Sequence, residues 1–191
     1  MRKMITVKIN GEERQYPQGA TYEDVANDYQ QEYENLIALA ARDGKIRELF
    51  KKLTRDCEVT FFTLKDDVGN KTYVRSATML FLKAVFDVYG REAAQSCRVE
   101  FAIGNGSYIS PKGKINATEE NAAKIRNRMR ELVEAKTPFL KKSYSLDNAM
   151  ELFRREGMKD KEKLFRYRRG SFVNIYEMDG YYDYYYGYML P

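Results

Sequence analysis

The sequence predicts an α+β chain of two domains, and three observations carry that prediction. Short stretches of apolar–polar alternation, such as Met4-Ile-Thr-Val-Lys-Ile9, mark strands with one buried face. Longer stretches, such as Val74 to Val88, repeat apolar residues at helical spacing. A polar, turn-rich run, Asp66-Asp-Val-Gly-Asn70, separates two such groups of elements.

The first group reads in order. Met4 or Ile5, Val7 and Ile9 set a period of two, and Asn10-Gly11 is a two-residue hairpin turn because both residues tolerate positive φ. Glu12 to Tyr16 forms the return strand and Pro17 ends it. Thr21 is an N-cap for a helix through Tyr29, with Asp24 at the position that answers the cap. Leu36-Ile-Ala-Leu-Ala-Ala41 is a buried strand, Asp43-Gly44 a second turn, and Lys45 to Leu49 a short extended piece. Cys57 to Leu64 is the last strand. Hairpin, helix, strand, turn, strand is the order of a β-grasp, ubiquitin-like unit, here residues 1–65.

The second domain is expected over residues 70–191, with an antiparallel sheet. Val74, Ala77, Leu80, Phe81, Ala84, Val85 and Val88 share a helix face that Gly90 terminates. Arg98 to Ile103 alternates as a strand, Gly104-Asn-Gly106 turns it, and Ser107 to Ser110 returns. Thr118 starts a long helix with Ala122, Ile125, Met129, Leu132 and Val133 inward, ending before Pro138. Its other face carries Lys124, Arg126, Arg128 and Arg130, interleaved with Glu131 and Glu134 as on a solvated helix surface. Ser145 caps a short helix that buries Ala149, Leu152 and Phe153 and stops at Gly157, and Asp160 to Phe165 adds a helical turn. Phe172 to Tyr176 then pairs with the tyrosine block Tyr181 to Met189, read as a strand between Gly180 and Gly187. A chain that stops on an aromatic strand is expected to be part of something longer, cut at its C-terminus.

Composition limits the chemistry. Histidine is absent, which removes an imidazole base, an imidazole metal ligand and any Ser-His or Cys-His nucleophile. Cys57 and Cys97 are isolated and read as inert, free thiols of a reducing compartment. The net charge of +5 is compatible with a phosphate-bearing partner without requiring one. No apolar run reaches membrane-spanning length and no signal peptide follows Met1, so the expectation is a cytoplasmic protein with no membrane partner.

Three stretches resemble known families. Val74-Arg-Ser-Ala-Thr-Met-Leu-Phe-Leu-Lys-Ala-Val85 looks like the helix that holds H-x-x-x-H in the editing domain of threonyl-tRNA synthetases. Phe101-Ala-Ile-Gly-Asn-Gly-Ser-Tyr108 is similar to the glycine-bearing strand pair after it, and Tyr184-Tyr-Tyr-Gly-Tyr-Met-Leu-Pro191 to the C-x-G-x-H-x-P segment. The β-grasp resembles the TGS domain that precedes the editing domain. The resemblance places the family's histidines and cysteine at Arg75, Met79, Tyr185 and Met189, so the editing site is degenerate and hydrolysis by that mechanism is not expected. Arg166-Tyr-Arg-Arg-Gly-Ser-Phe-Val-Asn-Ile-Tyr176 and the tyrosine block further resemble the N-terminal half of uridine kinase-like nucleoside kinases. That resemblance implies a downstream P-loop kinase domain as partner, with ATP and Mg belonging to it alone. No G-x-x-x-x-G-K-[ST] occurs here and no cofactor is expected in this chain.

The expected role is then a non-catalytic accessory module binding a ligand, RNA or the kinase domain. The alternatives are a tRNA-binding module related to threonyl-tRNA synthetase and, against the lost site, an editing hydrolase. Arg166, Arg168 and Arg169 are candidate contacts to phosphate of RNA or nucleotide, with Arg166 and Arg168 on one face of an extended chain; the alternative is a solvated edge. Tyr182, Tyr184 and Tyr186 are candidates for base stacking or for an interface, against a role in covering the sheet. Asp179 and Asp183 flank the block, either as a carboxylate pair or with Asp179 as a turn residue before Gly180.

Overall fold

The computed structural model describes residues 3–104 and 106–191. It confirms the α+β class and divides the chain into two compact units, one running through Ser76 and including Tyr186–Pro191, the other Ala77–Tyr185.

The first unit is built on a five-stranded mixed sheet. Strands β1 (Met4–Ile9), β2 (Glu12–Pro17), β3 (Ile37–Arg42), β4 (Lys45–Glu48) and β5 (Cys57–Thr63) lie in the order β2-β1-β5-β3-β4. The β1–β5 pair is parallel and the other neighbours antiparallel, the arrangement expected of a β-grasp. The alternation in β1 works as predicted: Ile5, Val7 and Ile9 are fully buried. Asn10 and Gly11, at φ 51° and 88°, form the hairpin turn, and Asp43 and Gly44, at 49° and 76°, form the second. The continuous apolar run in β3 is buried from Ile37 through Ala41, as a central strand requires.

Helix α1 (Tyr22–Tyr29) buries Tyr22, Val25, Ala26 and Tyr29 on the sheet. Its capping box is complete: Thr21 Oγ1 accepts from the Asp24 amide at 3.1 Å and Asp24 Oδ2 accepts from the Thr21 amide at 2.7 Å.

Helix α2 (Asp67–Tyr89) corrects the sequence reading. The polar run expected to be a turn is largely its first turn. Gly69 sits there because the backbone passes so close to β5 that a Cβ would lie 1.9 Å from the Thr63 carbonyl oxygen. The glycine marks a close approach and not a turn.

In the second unit, α3 (Arg91–Ser96) follows Gly90 and had no counterpart in the sequence reading. A two-stranded ribbon joins β6 (Arg98–Ile103) to β7 (Gly106–Ser110); Asn105 of the expected turn lies outside the described residues. Helix α4 (Glu119–Glu134) is capped by Thr118 and buries Ile125 and Leu132, whereas Ala122 and Val133, expected inward, are exposed.

The remaining sheet has three strands where two were expected. β8 (Leu140–Ser145) and β10 (Tyr181–Asp183) flank β9 (Phe172–Met178) in an antiparallel array. The Lys141-Lys142-Ser143 stretch of β8 carries no apolar alternation, which is why its strand character was invisible. The tyrosine block is a strand only to Asp183, whose carboxylate accepts from the next amide, Tyr184, at 2.7 Å and turns the chain away from the ladder.

Helices α5 (Leu146–Arg155) and α6 (Lys159–Arg166) cover one side of this sheet. Ala149, Leu152, Phe153, Phe165, Val173 and Ile175 form the core between them. Asp179 and Gly180, at φ 44° and 80°, make the β9–β10 turn, and fully buried Lys83 of α2 holds it. The Lys83 Nζ donates to the Asp179 carbonyl at 2.8 Å and pairs with Asp87 at 2.7 Å. Asp179 is thus a structural turn residue rather than half of a catalytic carboxylate pair.

Candidate functional site

The second unit contains a cleft of about 890 Å³ whose lining comes from five parts of the chain. Thr78 and Leu82 enter from α2, Gln95 from α3, and Cys97 to Glu100 from the start of β6. The α5–α6 junction adds residues Gly157 to Lys161, and the end of the sheet adds Tyr181, Asp183 and Tyr185.

Its polar centre is Asp183. Strand alternation turns Tyr181 and Asp183 to the same, inner side of β10, and both are buried. The Asp183 side chain is 5% exposed and pairs with Lys161 Nζ at 2.7 Å. A carboxylate so deprived of water needs such a partner, because an uncompensated buried charge is strongly unfavourable. Lys161 comes from the first turn of α6, so the helix start positions the cation.

Two phenols complete the cluster. The Tyr181 hydroxyl is held well above the ordinary tyrosine range, first by burial and then by the Asp183 charge. Tyr185 behaves alike for the same two reasons. Its hydroxyl is buried without a well-formed hydrogen bond, although the residue as a whole is only half-buried. Neither phenol can serve as a base at neutral pH. Burial also raises the Cys97 thiol, which lines the same cleft, so it is not held as a reactive thiolate. Among the described residues no three His, Cys, Asp or Glu side chains converge as a metal site would require. The cleft offers a paired carboxylate, an ammonium and phenolic hydroxyls, a set suited to holding a polar group by hydrogen bonds and charge.

The four positions matched to the editing motif divide between the units. In the first unit, the Arg75 guanidinium donates to the Tyr188 carbonyl at 2.8 Å, and Gly187 packs against it so tightly that a Cβ would fall 2.6 Å from Cζ. Met189 is fully buried, and its amide donates to Glu48 at 3.2 Å. The residue that faces the Met189 sulfur is Ser76, at 3.9 Å, and Ser76 Oγ also accepts from the Leu190 amide at 2.9 Å. Ser76, the neighbour of Arg75 on α2, was not singled out in the sequence because nothing local marks its contact with a segment 113 residues away. In the second unit, Met79 is fully buried and Tyr185 lines the cleft.

The other candidates are also placed. Arg166 ends α6 and pairs with Glu162 at 2.9 Å, while Arg168 lies over the Tyr184 ring, 5.3 Å from its centroid, and bonds its hydroxyl. The expected extended chain is therefore a helix end, and the two arginines do not share a strand face. Arg169 is exposed. Tyr184 stands edge-on to Phe165 at 5.0 Å and Tyr182 packs on the same core, so these two cover the sheet. Tyr186 belongs to the first unit and is 84% exposed.

No family model matches the chain. It is similar to curated proteins described as threonine–tRNA ligase: 29% identical over 186 residues to that of Thermotoga maritima and 28% over 187 to that of Thermotoga neapolitana. The ligase of Maricaulis maris is 27% identical over 190 residues. These alignments cover 90%, 91% and 98% of this chain but only 28%, 28% and 29% of the relatives, so the chain spans under a third of their length. Over most of its length the chain is thus similar to the N-terminal region of threonyl-tRNA synthetase.

Proposed function

We propose that the chain is a tRNA-related binding module whose second unit receives a polar group of the RNA, or of an amino acid attached to it, without cleaving it. The observation that carries this reading is the alignment itself, which runs through both units and covers at least 90% of the chain in each relative named above. The cleft supports it, with Arg98 and Lys159 for phosphate or carboxylate and the Asp183–Lys161 pair for an amine or hydroxyl. The absence of histidine, the raised thiol of Cys97 and the raised phenols leave no imidazole, thiolate or phenolate to activate water.

In this reading the first unit is a TGS-like β-grasp and the protein works in the cytoplasm. A nucleoside kinase as the parent protein rests on the tyrosine-rich motifs alone, and the named relatives favour the tRNA reading over it.

The test is a fluorescence titration of a tRNA transcript with the purified protein at low and moderate salt, paired with a deacylation assay on mischarged threonine tRNA. Binding that weakens with salt, with a log–log slope of about −3 for about three phosphates, is expected, together with no turnover above buffer. Absence of any shift at low salt removes the proposal. Clear turnover overturns its non-hydrolytic part.

A further inference from the structure

The segment from α6 into β9 carries an arrangement that the cleft does not use. Between Lys159 and Phe172 the chain has six cations against two acids, Asp160 and Glu162. Lys161 is spent on Asp183, Arg166 on Glu162, and Arg168 on Tyr184. Lys163 and Arg169 are exposed, and neither side chain has a hydrogen bond or ion pair among the described residues.

The same segment exposes large apolar side chains: Leu164 at 51%, Tyr167 at 79% and Phe172 at 67%. Leu164 and Tyr167 are three residues apart on the last turn of α6, where the Tyr167 amide donates to the Leu164 carbonyl, so they lie on one face. Phe172 begins β9 opposite Ser145. Gly170, at φ 140°, bends the chain between them, and nothing lies within 4 Å of the place a side chain would occupy there.

The loop has fixed anchors. Phe165 is buried in the core, its carbonyl accepts from the Arg168 amide at 3.3 Å, and the Arg168 side chain lies on Tyr184. With these two residues held inward, Tyr167 and Arg169 on either side of Arg168 are left to solvent. The result is a pre-positioned surface on which aromatic faces and unpaired cations alternate.

We infer that this surface binds unpaired nucleotides of RNA, with bases stacking on Tyr167 and Phe172 and phosphates meeting Arg169 and Lys163. Aromatic platforms combined with backbone-tracking cations are the common feature of single-strand binding. A protein-docking surface would be depleted in lysine at its centre. The inference rests on the tRNA-related reading above and deepens it, because it names the part of the RNA that is held and a site apart from the cleft.

The experiment measures anisotropy of a labelled oligouridylate of about twelve nucleotides, a duplex RNA of the same length and a tRNA transcript. The wild type is compared with Tyr167→Ala/Phe172→Ala, Tyr167→Phe/Phe172→Tyr and Arg169→Ala. Stacking lost at a platform weakens binding roughly 5- to 140-fold per base, so the double alanine variant should lose the oligouridylate by at least about 25-fold. The ring-preserving variant should keep it, and Arg169→Ala should reduce the salt slope by about 0.7. All three variants should melt with the wild type, since the side chains are exposed.

An oligouridylate bound no better than the duplex, or bound equally by the double alanine variant, overturns the inference. If the wild type binds tRNA but not the oligouridylate, this site fails and the tRNA reading stands. If it binds the oligouridylate in a Tyr167- and Phe172-dependent way but not tRNA, the site stands and the tRNA reading fails.

Discussion

Replacing Asp183 by alanine tests the polar centre of the cleft, and the structure sets the size of the effect. Breaking a fully buried ion pair by removing one partner costs about 3–5 kcal/mol. Here Lys161 remains 25% exposed and can turn its ammonium to water, which lowers that figure to about 2–3 kcal/mol. The Tyr184 amide loses its acceptor as well, adding about 1 kcal/mol. A total near 3–4 kcal/mol corresponds to a fall in melting temperature of about 10 °C for a chain of this size. Lys161→Met should be at least as damaging, because it leaves the 5%-exposed carboxylate without its cation. The double variant should be less destabilised than the sum of the two, by about 2 kcal/mol. Circular dichroism melts and urea titrations of the four proteins give the cycle. Additivity within about 0.5 kcal/mol, or an Asp183→Ala melt within about 3 °C of the wild type, would refute the view of Asp183 and Lys161 as a coupled buried pair.

Two further outcomes follow from other parts of the molecule. Gly69→Ala gains about 1 kcal/mol of helix propensity but drives a methyl into the Thr63 carbonyl, so a net loss of about 1–3 kcal/mol is expected in a thermal melt; a stabilised protein would show that the approach is not tight. Tyr181 and Tyr185 have folded-state pKa values raised above the unfolded value, so the unfolded chain gives up protons first as pH rises. Their stability is intact below about pH 10 and declines above it by about 2.7 kcal/mol per pH unit for the two together. Urea midpoints measured from neutral pH upward should be flat and then drop; Tyr185→Phe should take about 1.4 kcal/mol per pH unit out of that slope.

What the sequence made legible depended on whether the cause was local. The Asn10-Gly11 and Asp43-Gly44 turns, the Thr21–Asp24 capping box and the buried face of β1 all rest on neighbouring residues, and each appears where it was expected. Gly69 was misread as a turn because its reason for being glycine is the close approach of the Thr63 carbonyl at the end of β5, which residue type alone does not reveal. The strand β8 was hidden because Lys142 and Ser143 show no alternation and gain their ladder only from β9. The candidate site was partly visible. Tyr185 was named, and Asp183 was noticed as a flank of the tyrosine block, but the Lys161 partner came from a helix about twenty residues away that no periodicity connects to it. Arg168 shows the converse: its charge was plain in the sequence, yet the Tyr184 ring that occupies it was not.

The segment Tyr186–Pro191 has a consequence for the order in which the chain can fold. It belongs to the first unit, although the whole of Ala77–Tyr185 intervenes. The five strands of the first sheet all lie before Leu64 and can pair early, as local contacts do. The bond between Glu48 and the Met189 amide closes across 141 residues, and the Arg75–Tyr188 bond across 113. On a ribosome the β-grasp would thus emerge with its sheet formed but with the arginine and the buried glutamate still waiting for the strap. Cutting the gene at the apparent domain boundary would leave the first unit permanently in that state, and its stability alone would understate what it has in the intact chain.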